Sequence, residues 1–130
     1  MNTTEPIYSY IIVRSNILDE AAMAQCAHAA QEAAFMLGEK PNAPIHLIAL
    51  CCHGENALFE AQKRLEMKGF ETGIFYEPDW PKGHTALYVK PQRRSAKLKA
   101  AMSIYSLWRP KGFGSSNRLE ALEDPIAEAA

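Results

Sequence analysis

The chain has 130 residues, 48% of them hydrophobic and 22% charged, with a formal net charge of −1. That is enough for one domain burying roughly two thirds of its unfolded surface, and it excludes a disordered chain, a collagen-like repeat and a small disulfide scaffold. Three cysteines, two of them adjacent at Cys51 and Cys52, make neither a disulfide framework nor a zinc spacing. With no apolar run near the roughly 18 residues of a membrane span and no signal sequence at Met1–Pro6, the sequence reads as a soluble cytoplasmic protein with no metal, cofactor or membrane partner.

Taken in chain order, Tyr8–Arg14 is β-branched and aromatic and predicts a strand. Asp19 is placed to cap a helix running to Leu37, with Met23, Cys26, Ala27, Ala30, Ala33, Ala34 and Leu37 on one face. Gly38 ends it, with Pro41 and Pro44 beyond. Ile45–Cys52 is apolar with little alternation, the pattern of a central strand covered on both faces. Gly54–Lys68 predicts a second amphipathic helix, with Leu58, Ala61 and Leu65 inward and Gly69 closing it. Thr72–Tyr76 and Thr85–Val89 are two more strands around the turn-rich Glu77–His84 segment, Ser95–Leu107 predicts a third helix, and the rest is loop and tail.

That order is α/β, with a right-handed parallel crossover between the first two strands and an antiparallel return between the last two. The expected fold is a single domain, core about 7–108 and tail 109–130. Its architecture is a mixed four-stranded sheet with helices on both faces. Ligands of such sheets settle at the carboxyl ends of parallel strands, here the Ser15–Glu20 loop, the Cys52–Glu55 turn and the Glu77–His84 loop. The sequence has no GxGxxG, P-loop or GxSxG motif, which removes support for dinucleotide enzymes, nucleotide kinases and serine hydrolases.

Charge is unevenly placed. Residues 1–81 hold five basic groups against eleven acids, whereas residues 82–118 hold nine basic groups and no acid. Lys82, Lys90, Arg93, Arg94 and Lys97 in that stretch are candidate contacts for a polyanion, or else a solvated basic face. Trp80, bracketed by Pro78 and Pro81, is either a stacking platform or a lid on the core, and Trp108 with Tyr105 is expected to pack the third helix. Cys26 reads as core rather than nucleophile, and His53 as a turn histidine.

One constellation is more specific. In Ala24-Gln25-Cys26-Ala27-His28-Ala29, Gln25 and His28 lie three apart on a helix flank near the strand ends. There they either orient an ester and a water or only bond a nearby loop. This segment, with Ile12-Val-Arg14 followed by Asn16-Ile17 and with Thr85-Ala-Leu-Tyr-Val-Lys-Pro91, resembles the type 2 peptidyl-tRNA hydrolases of archaea and eukaryotes over roughly residues 8–107. The resemblance implies that family's fold, often a dimer, and cleavage of the ester between a nascent peptide and the 3′ ribose of tRNA. It also implies tRNA or peptidyl-tRNA as partner, with a homodimer as a further expectation. The implied catalytic set is Gln25 as donor or ester holder, Glu77 or His28 as base, and Thr85 as a hydroxyl for water or ribose.

The chain departs from that pattern at two places. Glu20-Ala21 stands where the family has Gly-Lys, and Glu77-Pro-Asp-Trp stands where it has Asp-Ala-Gly-x-Thr. Both changes are similar to those of the divergent "peptidyl-tRNA hydrolase domain-containing" branch. They leave two readings, an ester hydrolase acting on tRNA and a non-catalytic relative that binds tRNA, another RNA or a nucleotide.

Overall fold

The computed structural model describes residues 5–78 and 83–111. The central strand is β1 (Ile7–Arg14), and the sheet order is β3-β4-β1-β2-β6, with β2 at Ile45–Cys52, β3 at Thr72–Glu77, β4 at Gly83–Val89 and β6 at Ser106–Leu107. A two-residue strand β5, Gln92–Arg93, pairs with the start of β1. The β1–β2 pair is parallel in register Ile7↔Ile45 to Arg14↔Cys52, while β4 is antiparallel to both β1 and β3. It follows that β3 runs parallel to β1. The carboxyl ends of β1, β2 and β3 and the first residues of β4 therefore share one end of the sheet.

Alternation along β1 builds two cores. Ile12 joins Leu50, Leu58, Leu65, Leu87 and Leu98 beneath α2 (Glu55–Met67) and α3 (Ala96–Met102). Ile11 and Val13 join Ile17, Ala22, Cys26, Ala29 and Ala86 beneath α1 (Asp19–Phe35). The result is a mixed α/β fold with helices on both faces of the sheet. Leu58, Ala61 and Leu65 are buried as the periodicity of the second helix requires, and Ser95 caps α3 through its hydroxyl, which accepts from the Leu98 N–H. Arg64 ties α2 to the end of α3 by donating to the Ala101 carbonyl, and its guanidinium lies over the Tyr105 ring.

Several expectations are corrected. The strand at Ile45–Cys52 is not central: only Leu50 and Cys51 pair outward, with β6, and Ile45 and Leu47 are exposed. Its apolar run signals a strand shielded at one end only. The helix α1 packs through Ala22, Gln25, Cys26, Ala29 and Ala33, with Ala30 half-buried against the same core, whereas Ala27 and Ala34 are exposed, as is Met23. Alanines occur all round this helix, so their spacing cannot fix its rotation. Asp19 does not cap it; Leu18 holds that position without a side-chain bond, and the Asp19 carboxylate accepts from the Lys111 N–H. The third helix stops at Met102, after which the chain turns into β6, so two short strands join the four long ones. Tyr105 packs in the α2–α3 core, but Trp108 packs on the α1 side and donates its backbone N–H to Ala49. Lys82 and Trp80 lie outside the described residues, as does the chain from residue 112 onward.

Small side chains set the approach of α1 to the sheet. Ala29 is fully buried, whereas Ala27 points outward. Ala29→Leu should therefore overpack and lower stability by about 1–3 kcal/mol in urea unfolding. Ala27→Leu should change it by less than about 0.5 kcal/mol. The reverse order would mean that α1 is rotated.

Candidate functional site

The shared end of the sheet is shaped by a β-bulge. In the β3–β4 ladder Phe75 pairs with Ala86 and Tyr76 with His84, so Thr85 is the extra residue with no partner opposite. A bulge of this kind re-aims side chains that strict alternation would send elsewhere. Ala86 lies in the α1 core, and Thr85, its neighbour, also reaches α1 instead of pointing to the other face.

What Thr85 reaches is Gln25. The hydroxyl of Thr85, fully buried, donates to Gln25 Oε1 at 2.6 Å, and Gln25 Nε2 donates to Glu77 Oε2 at 3.2 Å. Only this orientation of the amide works, because the flipped one would set a carbonyl oxygen against the carboxylate. Gln25 is itself only 3% exposed. Its amide belongs on the buried face of α1 because Thr85 and Glu77 satisfy it there, as burial of a polar group requires. The chain hydroxyl–amide–carboxylate has one direction and leads to Glu77, which is half-buried at the end of β3.

On the other face of the same strand end, the Glu55 carboxylate accepts both the backbone N–H of His84 and its Nδ1, each at 3.0 Å. Gly83 makes this possible: it sits at φ +73, and a Cβ there would come within 2.8 Å of Glu55 Oε2. Arg14, only 8% exposed, crosses the end of β1 and donates to the His84 carbonyl at 3.2 Å and to Asn16 Oδ1 at 3.0 Å. The bonds from His84, first from its backbone and then from its ring, hold the Glu55 carboxyl below its ordinary value.

Of the residues singled out by sequence, Gln25, Glu77 and Thr85 come together in one line of hydrogen bonds. His28 stays beside them on α1, stacked on Phe75 with ring centroids 4.7 Å apart. The basic group lies elsewhere. Lys90 leaves the far end of β4, and Arg93 pairs with Ile7 at the start of β1, seven residues from Arg14. At about 3.3 Å per residue this is roughly 20 Å from the Gln25 end. There Lys90 faces Glu71 and Arg93 faces Glu5 at 3.9 and 3.8 Å, and Lys97 lies over the Phe70 ring. Arg94 is exposed beside them, and Lys90, Ser95 and Lys97 frame a depression of about 360 Å³.

Glu55 and His84 carried no sequence motif, and Arg14 stood in the Ile12-Val-Arg14 segment without a role assigned to it. The signals available were a charged residue ending an apolar strand and a glycine immediately before a histidine. Burial pushes the Cys26 thiol up to about 11 and also raises Cys51 and Cys52, so no cysteine here is an activated nucleophile. Among the described residues no cluster of His, Cys, Asp and Glu is placed to hold a metal ion, and no helix is long and apolar enough to cross a membrane. No family model matches the sequence, and no curated protein matches it.

Two measurements check this geometry. Gln25→Leu should strand the buried Thr85 hydroxyl and cost about 1–3 kcal/mol in denaturant unfolding. Adding Thr85→Val should recover part of that loss, giving a coupling of about 0.5–3 kcal/mol; additive losses would mean that the two side chains do not bond. For Glu55, a carboxyl lowered by folding adds stability above its ordinary 4.5 and gives it up as pH falls through the lowered value. The stability advantage of wild type over Glu55→Gln should therefore be full at neutral pH and shrink well below pH 4.5 in acid titrations of unfolding. An advantage independent of pH would contradict the pairing.

Proposed function

We propose that this protein hydrolyses the ester that joins a peptide to the 3′ end of a tRNA. The reading starts from the resemblance of the Gln25–His28 helix and the Thr85 strand to type 2 peptidyl-tRNA hydrolases. The observation that carries it is the directed chain from Thr85 through Gln25 to Glu77 at the ligand-binding end of the sheet. Ester hydrolysis needs a positioned base, and a carboxylate held by a locked amide is preorganised for that task. Glu77 takes a proton from water, the water oxygen adds to the ester carbonyl carbon, the bond to the ribose oxygen breaks, and the proton passes to that leaving oxygen. Gln25 and Thr85 are buried, so they act here as positioning residues for Glu77 rather than as groups that touch the ester. The tRNA body is long enough to lie across the roughly 20 Å from this end to Lys90, Arg93, Arg94 and Lys97, which would hold its phosphates.

One observation favours the second reading, a relative that binds RNA without cleaving it. The first turn of α1 carries Asp19 and Glu20 and then Ala21, so it supplies no cation of its own, and the Lys111 ammonium that reaches it is engaged by Asp19 and the Ile17 carbonyl. The loss of one preorganised donor lowers a rate by about 10²–10³ and so slows an enzyme without removing it.

A defined peptidyl-tRNA separates the two. Wild type should release free tRNA, and Glu77→Gln should lower turnover by about 10²–10³ while tRNA affinity stays within about threefold. Charge reversal of Arg93, Arg94 and Lys97 together should do the opposite, weakening binding and flattening its salt dependence with little effect on the chemical step. Binding without cleavage by wild type would establish the second reading, and neither activity would end both.

A further inference from the structure

His84 lies at the start of β4, and no residue pattern in the sequence marks it. Its Nδ1 is tied to Glu55 Oε2 at 3.0 Å, and the same oxygen holds the His84 backbone N–H. The carboxylate thus fixes both the ring and the peptide that bears it. A carboxylate on one imidazole nitrogen selects the Nδ1–H tautomer and leaves the Nε2 lone pair pointing away from it. Among the described residues Nε2 has no hydrogen-bond partner, and the side chain is 36% exposed, so a small molecule can reach it. Phe59 and Tyr76 set their rings edge-on to the imidazole, each with centroids 5.0 Å away, and both rings are themselves partly open to solvent. The charged and titratable groups around it are Glu55 from α2, Arg14 from β1 and Tyr76 and Glu77 from β3.

We propose that His84, oriented by Glu55, is a second acid–base centre, on the α2 face of the sheet end, that hydrolyses small uncharged acyl esters admitted between Phe59 and Tyr76. The aromatic walls favour an apolar acyl group, and the neighbouring carboxylate disfavours an anionic one. Nε2 takes a proton from water, whose oxygen adds to the carbonyl carbon. The carbon–oxygen bond to the alcohol then breaks, and the imidazolium returns the proton to the departing oxygen, leaving acid, alcohol and neutral His84. This centre does not depend on the roles given to Gln25 and Glu77. The opposing account is that the His84–Glu55 pair only fastens β4 to α2.

The test uses p-nitrophenyl acetate with the full chain, together with nitrogen-15 spectra of the histidine rings. The expected spectrum shows His84 as the Nδ1–H tautomer, and the expected rate is dominated by His84 over His28, His46 and His53. His84→Asn, whose amide reproduces the Nδ1–H bond to Glu55 but has no Nε2, should keep the fold and lower the rate about tenfold or more. Glu55→Gln should lower the rate by about tenfold and release the tautomer preference. Phe59→Ala should raise KM with little change in kcat. A His84→Asn protein that is folded and as active as wild type overturns the proposal, and so does a mixed tautomer in wild type. Because the probe carries no RNA, the result is independent of whether peptidyl-tRNA is cleaved.

Discussion

The bulge at Thr85 is the constraint on which the polar arrangement at this end of the sheet depends. Under strict alternation from Ala86, Thr85 would point to the α2 side and His84 to the α1 side, and neither would meet its present partner. With the bulge, two consecutive residues of β4 serve opposite faces: Thr85 engages Gln25 on α1 and His84 engages Glu55 on α2. The cost is one broken step in a two-strand ladder. The return is a pair of satisfied polar clusters at the end of a sheet that is otherwise filled by Ile11, Ile12, Val13, Leu87 and Val89.

Burial and polarity are balanced around that point. Gln25, Thr85 and Arg14 are each less than a tenth exposed, and each has its polar atoms directed at a named acceptor or donor. A buried network of this kind is sensitive to single truncations because each partner removed leaves another unsatisfied. Arg14 joins the two clusters by holding the carbonyl of His84, the peptide immediately before the bulged residue. The packing of α1 through alanines brings its backbone close enough for a glutamine side chain to reach the strand.

Much of this was legible in the sequence, and what was not has physical causes. The long strands, the first two helices and the parallel crossover followed from periodicity and glycine stops. That Gln25, Glu77 and Thr85 belong together was implied by the resemblance of their segments to type 2 peptidyl-tRNA hydrolases, not by periodicity or spacing. The rotation of α1 did not follow, because alanines on every side erase the periodic signal, and a buried glutamine is recognisable only once its partners are in place. The position of Ile45–Cys52 in the sheet is not legible, because an apolar run does not say whether another strand covers it. The bulge was invisible because it rests on register between two strands, which no local pattern encodes. The separation of the basic segment from the Gln25 end follows from the direction of β4: residues close in sequence to Thr85 are carried to the far end by a strand of seven residues.

The central proposal is that Glu77, held by Gln25 and Thr85, acts as the base in cleavage of an ester on tRNA. The most direct measurement is a single-turnover reaction with the protein in excess over a defined peptidyl-tRNA, followed by separation of charged from free tRNA. The account predicts complete conversion by wild type at a rate that falls when Glu77 is made neutral. Peptidyl-tRNA that is bound yet remains intact over the whole time course would contradict it.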